Sequence, residues 1–457
     1  MIDEALTRGE IAVIGLGRSG VAAARLLVRE GGRVYASDAG TGAAVSATAA
    51  SLRAEGIAAD CGTHDLARIA AASLVVASPG VPPEAPPLVA ARAAGVPVVG
   101  EMEVALHALR GVPYIAVTGT NGKSTVTALV AHLLGALGHR AVAAGNIGRA
   151  LSDVALGDQR PDWVALECSS FQLHDTPSLA PAVGVLTNLS PDHLDRYPSV
   201  EAYYADKALL FRNAMPASRW VVNADDATAR DLGAGADGTR WAFSRADRHA
   251  AAHYDAVRDA LVLFKEPLIQ RVALPLLGWH NVENTLAALL AVMVADEAHQ
   301  TPVARAELAA AVLSFHGLPH RLELVADYDG VRWINDSKAT NVASARVAIE
   351  AMTQPTVVLM GGRHKGEAYT SLIAALQRHA RLVIAYGESE PLITRDLEGH
   401  VPLARGGSSF DEVMQRARSA ALPGDAVLLA PACSSFDMFT NYEARGDSFR
   451  RLARQGT

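Results

Sequence analysis

The 457-residue chain has only three cysteines, Cys61, Cys168 and Cys433, spread far apart with no C-x-x-C spacing. Nothing in that pattern supports a zinc site or a paired-thiol redox centre, so the cysteines read as reduced structural thiols. Positive charge is not in excess either, since 41 Lys and Arg stand against 48 Asp and Glu for a net charge of -7. A chain built to coat nucleic acid or an anionic membrane would be basic; neither partner is expected, and any anionic ligand must be met by a local site. Long apolar runs are missing as well. The longest, LAALLAVMVA at 286–295, falls well short of the roughly 18–20 residues that a membrane span needs. The start, MIDEALTRGE, is acidic and has no apolar segment of a secretory signal. A cytoplasmic protein is the expectation, and a monomer, since nothing demands association.

What is present is apolar content, 50% of the residues, arranged as short β-type runs alternating with Ala- and Leu-rich helical stretches. That alternation predicts α/β domains with mostly parallel sheets. EIAVIG, RVYASD, LVVASPG and VPVVG precede residue 101 and predict a Rossmann-like unit. YIAVTG and the helical pattern STVTALVAHLLGAL open a second unit, which continues through DWVALE, AVGVLTN and RWVVNADD to the helical run after Gly278. FHGLPHRLE at 315–323 reads as a linker, and LELVADYDGVRWIND after it carries two β-type runs around Asp329-Gly330, a hairpin signal. PTVVLMGG, RLVIAYG and DAVLLAP follow. Three domains in series are expected: a Rossmann-like 1–101, a central P-loop domain at 102–317, and a Rossmann-like 318–457.

Two glycine motifs carry the chemistry. IAVIGLGRSG at 11–20 places Gly15, Gly17 and Gly20 in G-x-G-x-x-G, where glycines let backbone N–H groups approach a phosphate at a helix N-terminus. Asp38 closes the next run about where a ribose-binding acid sits in a dinucleotide site. On spacing alone a dehydrogenase and any other nucleotide binder stand level. AVTGTNGKST at 116–125 decides between them: Gly119, Gly122, Lys123 and Ser124 set a turn between a strand and a helix. There, N–H groups and an ammonium converge on β/γ-phosphates and a hydroxyl ligates Mg²⁺. The motif departs from G-x-x-x-x-G-K-[ST], since Val117 stands where the first glycine would be. An ATP site at the second motif leaves the first for a different ligand.

GTNGKS resembles the signature of the Mur ligases, ATP-dependent amide-bond-forming enzymes of bacterial cell-wall precursor synthesis, and of the related folylpolyglutamate synthetases. ECSSFQL at 167–173, NLSPDHLDRY at 188–197, GWHNVEN at 278–284, and HRLE with NDSKATN within 320–341 resemble the family in the same order. ECSSFQL, GGRHKG at 361–366 and PACSSFDMFTNYEARG at 431–446 resemble its glutamate-adding branch. The resemblance implies transfer of the ATP γ-phosphoryl group to the carboxylate of UDP-N-acetylmuramoyl-L-alanine, then attack of the amine of D-glutamate on the acyl phosphate. The residue types themselves do not distinguish the hands of glutamate. Another Mur ligase or a folylpolyglutamate synthetase would run the same chemistry on a different acceptor, and an NAD(P)-dependent oxidoreductase would keep only the glycine loops.

The same resemblance implies residue roles. The UDP-sugar falls to Gly15, Gly17, Ser19, Gly20, Asp38, Ser78, Pro79, Gly80 and Asn146. ATP falls to Gly119, Thr120, Asn121, Gly122, Lys123, Ser124, Thr125, His280, Asn281 and Asn284, with Arg321 at the γ-phosphate and Asp336 at the ribose. Two Mg²⁺ ions are implied, one at Ser124 or Thr125 with Glu167, the other at His193 with Lys207 as a CO₂-derived carbamate. Lys123, Glu167, His193 and Lys207 are thus the implied catalytic group, although helix periodicity alone reads Lys207 as a surface lysine. Lys338, Thr340, Lys365, Ser435 and Tyr442 are implied for glutamate. Arg363 and His364 add positive potential to which no purpose attaches.

Overall fold

The protein is described by a computed structural model covering residues 1–192, 196–407 and 409–455. It divides into two compact units, one of residues 1–272 with 283–312, the other of 273–282 with 313–457. His193 lies outside the described residues. No helix among the described residues is long and apolar enough to cross a membrane.

The first unit is built on two sheets. In the smaller, Glu10–Ile14 runs parallel between Arg33–Asp38 and Leu74–Ala77, with Ala58–Cys61 and Val98–Gly100 at the edges. Its central strands are near-continuous apolar runs because both faces are covered. The larger sheet has nine strands, with Tyr114–Thr118 between Trp163–Glu167 and Val183–Leu186. Ala141–Gly145 forms one edge. On the other side the sheet passes through Arg219–Asn223 and Thr239–Ser244 into an antiparallel meander ending at Glu266–Gln270.

One hydrophobic cluster joins residues of both sheets' layers, from Ile11 and Leu26 through Met102 and Val104 to Leu151 and Leu166. The helix Glu101–Ala108, where the sequence sets its first boundary, is therefore buried at Met102, Val104 and Ala105 as part of a shared core.

The second unit carries six strands, in an order that leaves Thr356–Gly361 between Ala426–Leu429 and Ala380–Tyr386. The hairpin at Asp329-Gly330 is present: both residues have positive φ, and Glu323–Tyr328 pairs antiparallel with Val331–Asn335. Alternate residues of the strands feed two separate clusters. Val358 and Met360 pack with helices Val342–Glu350 and Ile373–His379, whereas Val357 and Leu359 pack with Phe410–Ala420 and Tyr442–Arg454. A sheet covered on both faces offers its ligands only the carboxyl ends of its strands.

Candidate active site

The first glycine turn leaves Ile14 with Gly15 at φ 96°. A Cβ on Gly20 would collide with the Gly15 carbonyl oxygen, so this glycine is needed for the turn to lie against its helix. Gly17 has open space around its Cβ position and caps the helix Arg18–Arg29 without a side-chain partner, which leaves first-turn N–H groups for an anion. Asp38 is engaged with the backbone: Leu16 N–H donates to its Oδ2 and Gly40 N–H to its Oδ1, each at 2.7 Å. Ser78 Oγ donates to the Gly15 carbonyl at 3.1 Å.

Gly15, Gly17, Ser19, Asp38, Ser78, Pro79, Gly80 and Asn146 all line one cavity of about 650 Å³. Gly20 lies behind the turn and is not among the residues lining it. His64, Arg18 and Gln172 also line the cavity and were missed by motif reading. His64 follows the strand Ala58–Cys61, and its Nδ1 lies 2.9 Å from Ser37 Oγ. Its position past a strand's carboxyl end was the available signal.

The second turn follows Tyr114–Thr118, with Gly119 at φ 142° and Gly122 at φ 81° before the helix Lys123–Ala136. Side chains would not fit at either glycine: a Cβ would strike Thr187 Oγ1 at Gly119 and Asn284 Oδ1 at Gly122. The loop is fastened to its neighbour, since Thr120 N–H donates to the Asn188 carbonyl at 2.8 Å and Asn121 N–H to Asn188 Oδ1 at 2.9 Å. Lys123 Nζ donates to the Thr120 carbonyl at 2.7 Å, curling the ammonium over the turn. Ser124 and Thr125 follow in the helix's first turn.

Glu167 ends the adjacent strand Trp163–Glu167 and is 1% exposed. Its Oε1 accepts from Asn146 Nδ2 at 2.9 Å, while Oε2 is buried with no hydrogen-bond partner among the described residues. A buried carboxylate oxygen left so is costly unless a cation meets it, and hard oxygen donors beside a phosphate turn suit Mg²⁺. The donor set therefore fits the implied ion. Asn146 ties the two parts together, touching Glu167 and also lining the 650 Å³ cavity.

Lys207 is not on the surface as helix periodicity suggests. It is 1% exposed, with Nζ 4.7 Å from the centre of the Tyr203 ring. Burial, reinforced by the charge of Lys123, lowers its ammonium to about 7.

In the second unit Arg321 lies between His320 at φ 63° and Leu322 at φ 44°, conformations that non-glycine residues adopt only under constraint. Burial pushes the Asp336 carboxyl up to about 7 against the pull of Arg321. Lys338 Nζ donates to Tyr442 Oη at 2.8 Å, and Lys365 Nζ to Thr340 Oγ1 at 3.3 Å. Ser435 is 2% exposed on the loop after Ala426–Leu429.

Arg445, also missed by motif reading, is wholly buried and organises that loop. Its guanidinium donates to Ser337 Oγ and to the carbonyls of Ser337, Cys433 and Ser434 at 2.8–3.3 Å. In the first turn of the helix Trp279–Ala295, Asn281 Nδ2 donates back to the Leu277 carbonyl at 2.7 Å, and the Cβ position of Gly278, just before the helix, abuts His280.

Three family models match the chain: a Mur ligase MurD-like N-terminal domain over residues 9–100, a Mur ligase middle domain over 117–292, and a Mur ligase glutamate ligase domain over 320–433. The UDP-N-acetylmuramoylalanine--D-glutamate ligase of Acidobacterium capsulatum is 40% identical over 97% of this chain and 95% of its own length. That of Myxococcus xanthus is 40% identical over 98% of both. Among solved structures, the UDP-N-acetylmuramate-alanine ligase of Thermotoga maritima shares the fold, with a TM-score of 0.61 at 20% identity over 98% of this chain and all of that one. The oxidoreductase reading of the first glycine turn falls away, and the chain belongs to the Mur ligase family.

Proposed function

We propose that the enzyme adds D-glutamate to UDP-N-acetylmuramoyl-L-alanine in peptidoglycan precursor synthesis, converting ATP to ADP and phosphate. The carrying observation is Asn146, which contacts Glu167 beside the phosphate turn and also lines the cavity of the first glycine turn. The 40% identity to two relatives of that name supports the choice of acceptor and amino acid.

A carboxylate does not condense with an amine in water, because O⁻ does not leave. Phosphorylation of the alanyl carboxylate makes it reactive, and the protein's part is to hold anions together and to stabilise charge as it develops. The turn from Gly119 to Gly122 receives the ATP phosphates, with Lys123 released from the Thr120 carbonyl to meet them. Glu167 with Ser124 or Thr125 would hold Mg²⁺, whose charge offsets that of the transferring phosphoryl group. Lys207, poised as a near-neutral amine, suits reaction with CO₂ to a carbamate, and His193 is its proposed companion at a second ion.

Gly15, Gly20 and Asp38 keep the pyrophosphate turn in shape, and Gly17 leaves the helix's first-turn N–H groups open beside it. Arg321 serves the γ-phosphate and Asp336 the ribose, with His280, Asn281 and Asn284 beside the nucleotide. Lys338, Thr340, Lys365, Ser435 and Tyr442 orient glutamate's two carboxylates through charge and directed hydrogen bonds. The enzyme acts as a cytoplasmic monomer.

Phosphate release tests the reading. It should require ATP, Mg²⁺, UDP-N-acetylmuramoyl-L-alanine and D-glutamate together; release with L-glutamate, another amino acid or a folate acceptor instead would refute it.

A further inference from the structure

Three loops leave the carboxyl ends of three neighbouring strands of the second unit, Thr356–Gly361, Ala380–Tyr386 and Ala426–Leu429. The first carries Lys365 and the third Ser435, both proposed above for glutamate. Backbone bonds already set these two loops side by side, with Arg363 N–H donating to the Ser434 carbonyl at 2.9 Å and Ser434 N–H to the Arg363 carbonyl at 3.1 Å. Beside them lies a row of polar side chains that the reaction does not use. His364 Nδ1 lies 2.9 Å from Tyr369 Oη, which lies 2.9 Å from Cys433 Sγ. That sulfur lies 3.1 Å from Ser389 Oγ, which donates to the Gly362 carbonyl at 2.7 Å. Tyr369, Cys433 and Ser389 are at most 1% exposed.

Proton counting gives the row a direction. A carbonyl only accepts, so the single hydroxyl proton of Ser389 goes to Gly362. Ser389 Oγ then accepts the Cys433 thiol proton, and the sulfur accepts from the Tyr369 hydroxyl. The Tyr369 oxygen is left to accept from His364, which must carry its proton on Nδ1. Only this arrangement satisfies every contact in the row, as buried polar groups require. The opposite tautomer would turn the Tyr369 proton toward His364 and leave the sulfur without its donor.

We infer that His364 and Tyr369 are positioning residues for the amino-acid substrate, their one-way hydrogen-bond row to Gly362 fixing Lys365 relative to Ser435. The inference rests on the reading that those two residues bind glutamate. It gives His364 a purpose that charge alone does not. A small dianion held between an ammonium on one loop and a hydroxyl on another is sensitive to their separation, whereas the nucleotide sites of the first unit are not built from these loops.

The test is steady-state kinetics with all three substrates varied, on wild type, Tyr369→Phe, His364→Leu and His364→Asn, with ¹⁵N spectra of the His364 ring at pH 8.5. Loss of one hydrogen bond in the row should raise KM for glutamate about tenfold in Tyr369→Phe and His364→Leu. KM for ATP and for the UDP-sugar should stay within about twofold, since those ligands meet other residues. His364→Asn, whose amide can donate from near the Nδ1 position, should recover most of the loss. The spectrum should show Nδ1–H in wild type and change tautomer in Tyr369→Phe.

An unchanged glutamate KM in both His364→Leu and Tyr369→Phe, or equal rises in all three KM values, would overturn the inference, as would an Nε2–H ring in wild type. Should Tyr369→Phe not fold, the half-buried His364 variants and the wild-type spectrum decide. Wild-type turnover that ignores glutamate would instead overturn the proposed function, leaving the ring spectrum to judge the row.

Discussion

Asn146 donates its side-chain amide to Glu167 Oε1 at 2.9 Å, leaving the buried Oε2 of the same carboxylate turned elsewhere. The pair divides labour between an oxygen that is oriented by the protein and an oxygen kept for a cation. Glu167→Gln keeps the shape and removes the charge, so it should lower kcat by on the order of 10²–10³, as loss of one charge-stabilising group at a reacting centre does. Asn146→Ala should raise the Mg²⁺ requirement by roughly 10–100-fold, the usual effect of removing a group that orients a ligand. Mg²⁺ titration of the phosphate-release rate measures both, and wild-type Mg²⁺ dependence in Glu167→Gln would speak against this assignment.

The glycines of the first turn should separate cleanly. Gly20→Ala forces a Cβ onto the Gly15 carbonyl, which should cost about 1–3 kcal/mol in stability as overpacking does and should weaken UDP-sugar binding. Gly17→Ala meets open space and should leave the unfolding free energy within about 1 kcal/mol of wild type. Urea denaturation of the two variants compares them directly.

Lys207 should give stability a pH dependence of known sign. Its ammonium is lowered from 10.5 to about 7 by burial first and Lys123 second. Between those values the unfolded lysine holds a proton that the folded one does not, so this group makes stability rise with pH from about 7 to about 10. The penalty is complete below about 7 and is on the order of 4 kcal/mol across the window. Lys207→Met should remove that slope and all activity. Denaturation in CO₂-free buffer from pH 7 to 10 reads the difference, and equal slopes in the two proteins would refute it.

Arg445 should matter to stability more than any surface cation. Arg445→Met leaves the carbonyls of Ser337 and Cys433 buried without their donors, a loss of about 2 kcal/mol or more given 1–3 per unsatisfied group. A thermal midpoint within a degree or two of wild type would show that the loop holds itself.

His64→Ala should raise KM for the UDP-sugar and leave that for glutamate alone, because His64 lines the cavity of the first turn and the glutamate residues belong to the other unit. A change in the glutamate KM of equal size would place His64 elsewhere in the mechanism.

The parts of this site legible in the sequence are those whose requirement is local. Gly15, Gly119 and Gly122 are dictated by positive backbone angles within a few residues of a strand end, so their motifs are contiguous. Glu167 was legible for the same reason, as the last residue of an apolar run. Arg445 was not, because its partners come from Ser337 and from the loop of Cys433 and Ser434, and the pairing exists only once the sheet has formed. Lys207 misled because its helix, Val200–Ala208, has acidic and aromatic neighbours on several sides and a weak apolar stripe. The direction in which such a helix faces is set by tertiary packing, which periodicity does not register.

Asp38 spends both carboxylate oxygens on Leu16 and Gly40 N–H groups, so the first glycine loop is braced before any nucleotide arrives. Its ordering entropy is already met during folding, and the sugar nucleotide encounters a finished mould. Selection among nucleotides then falls to the groups that merely border that mould, which are free to vary without unmaking it.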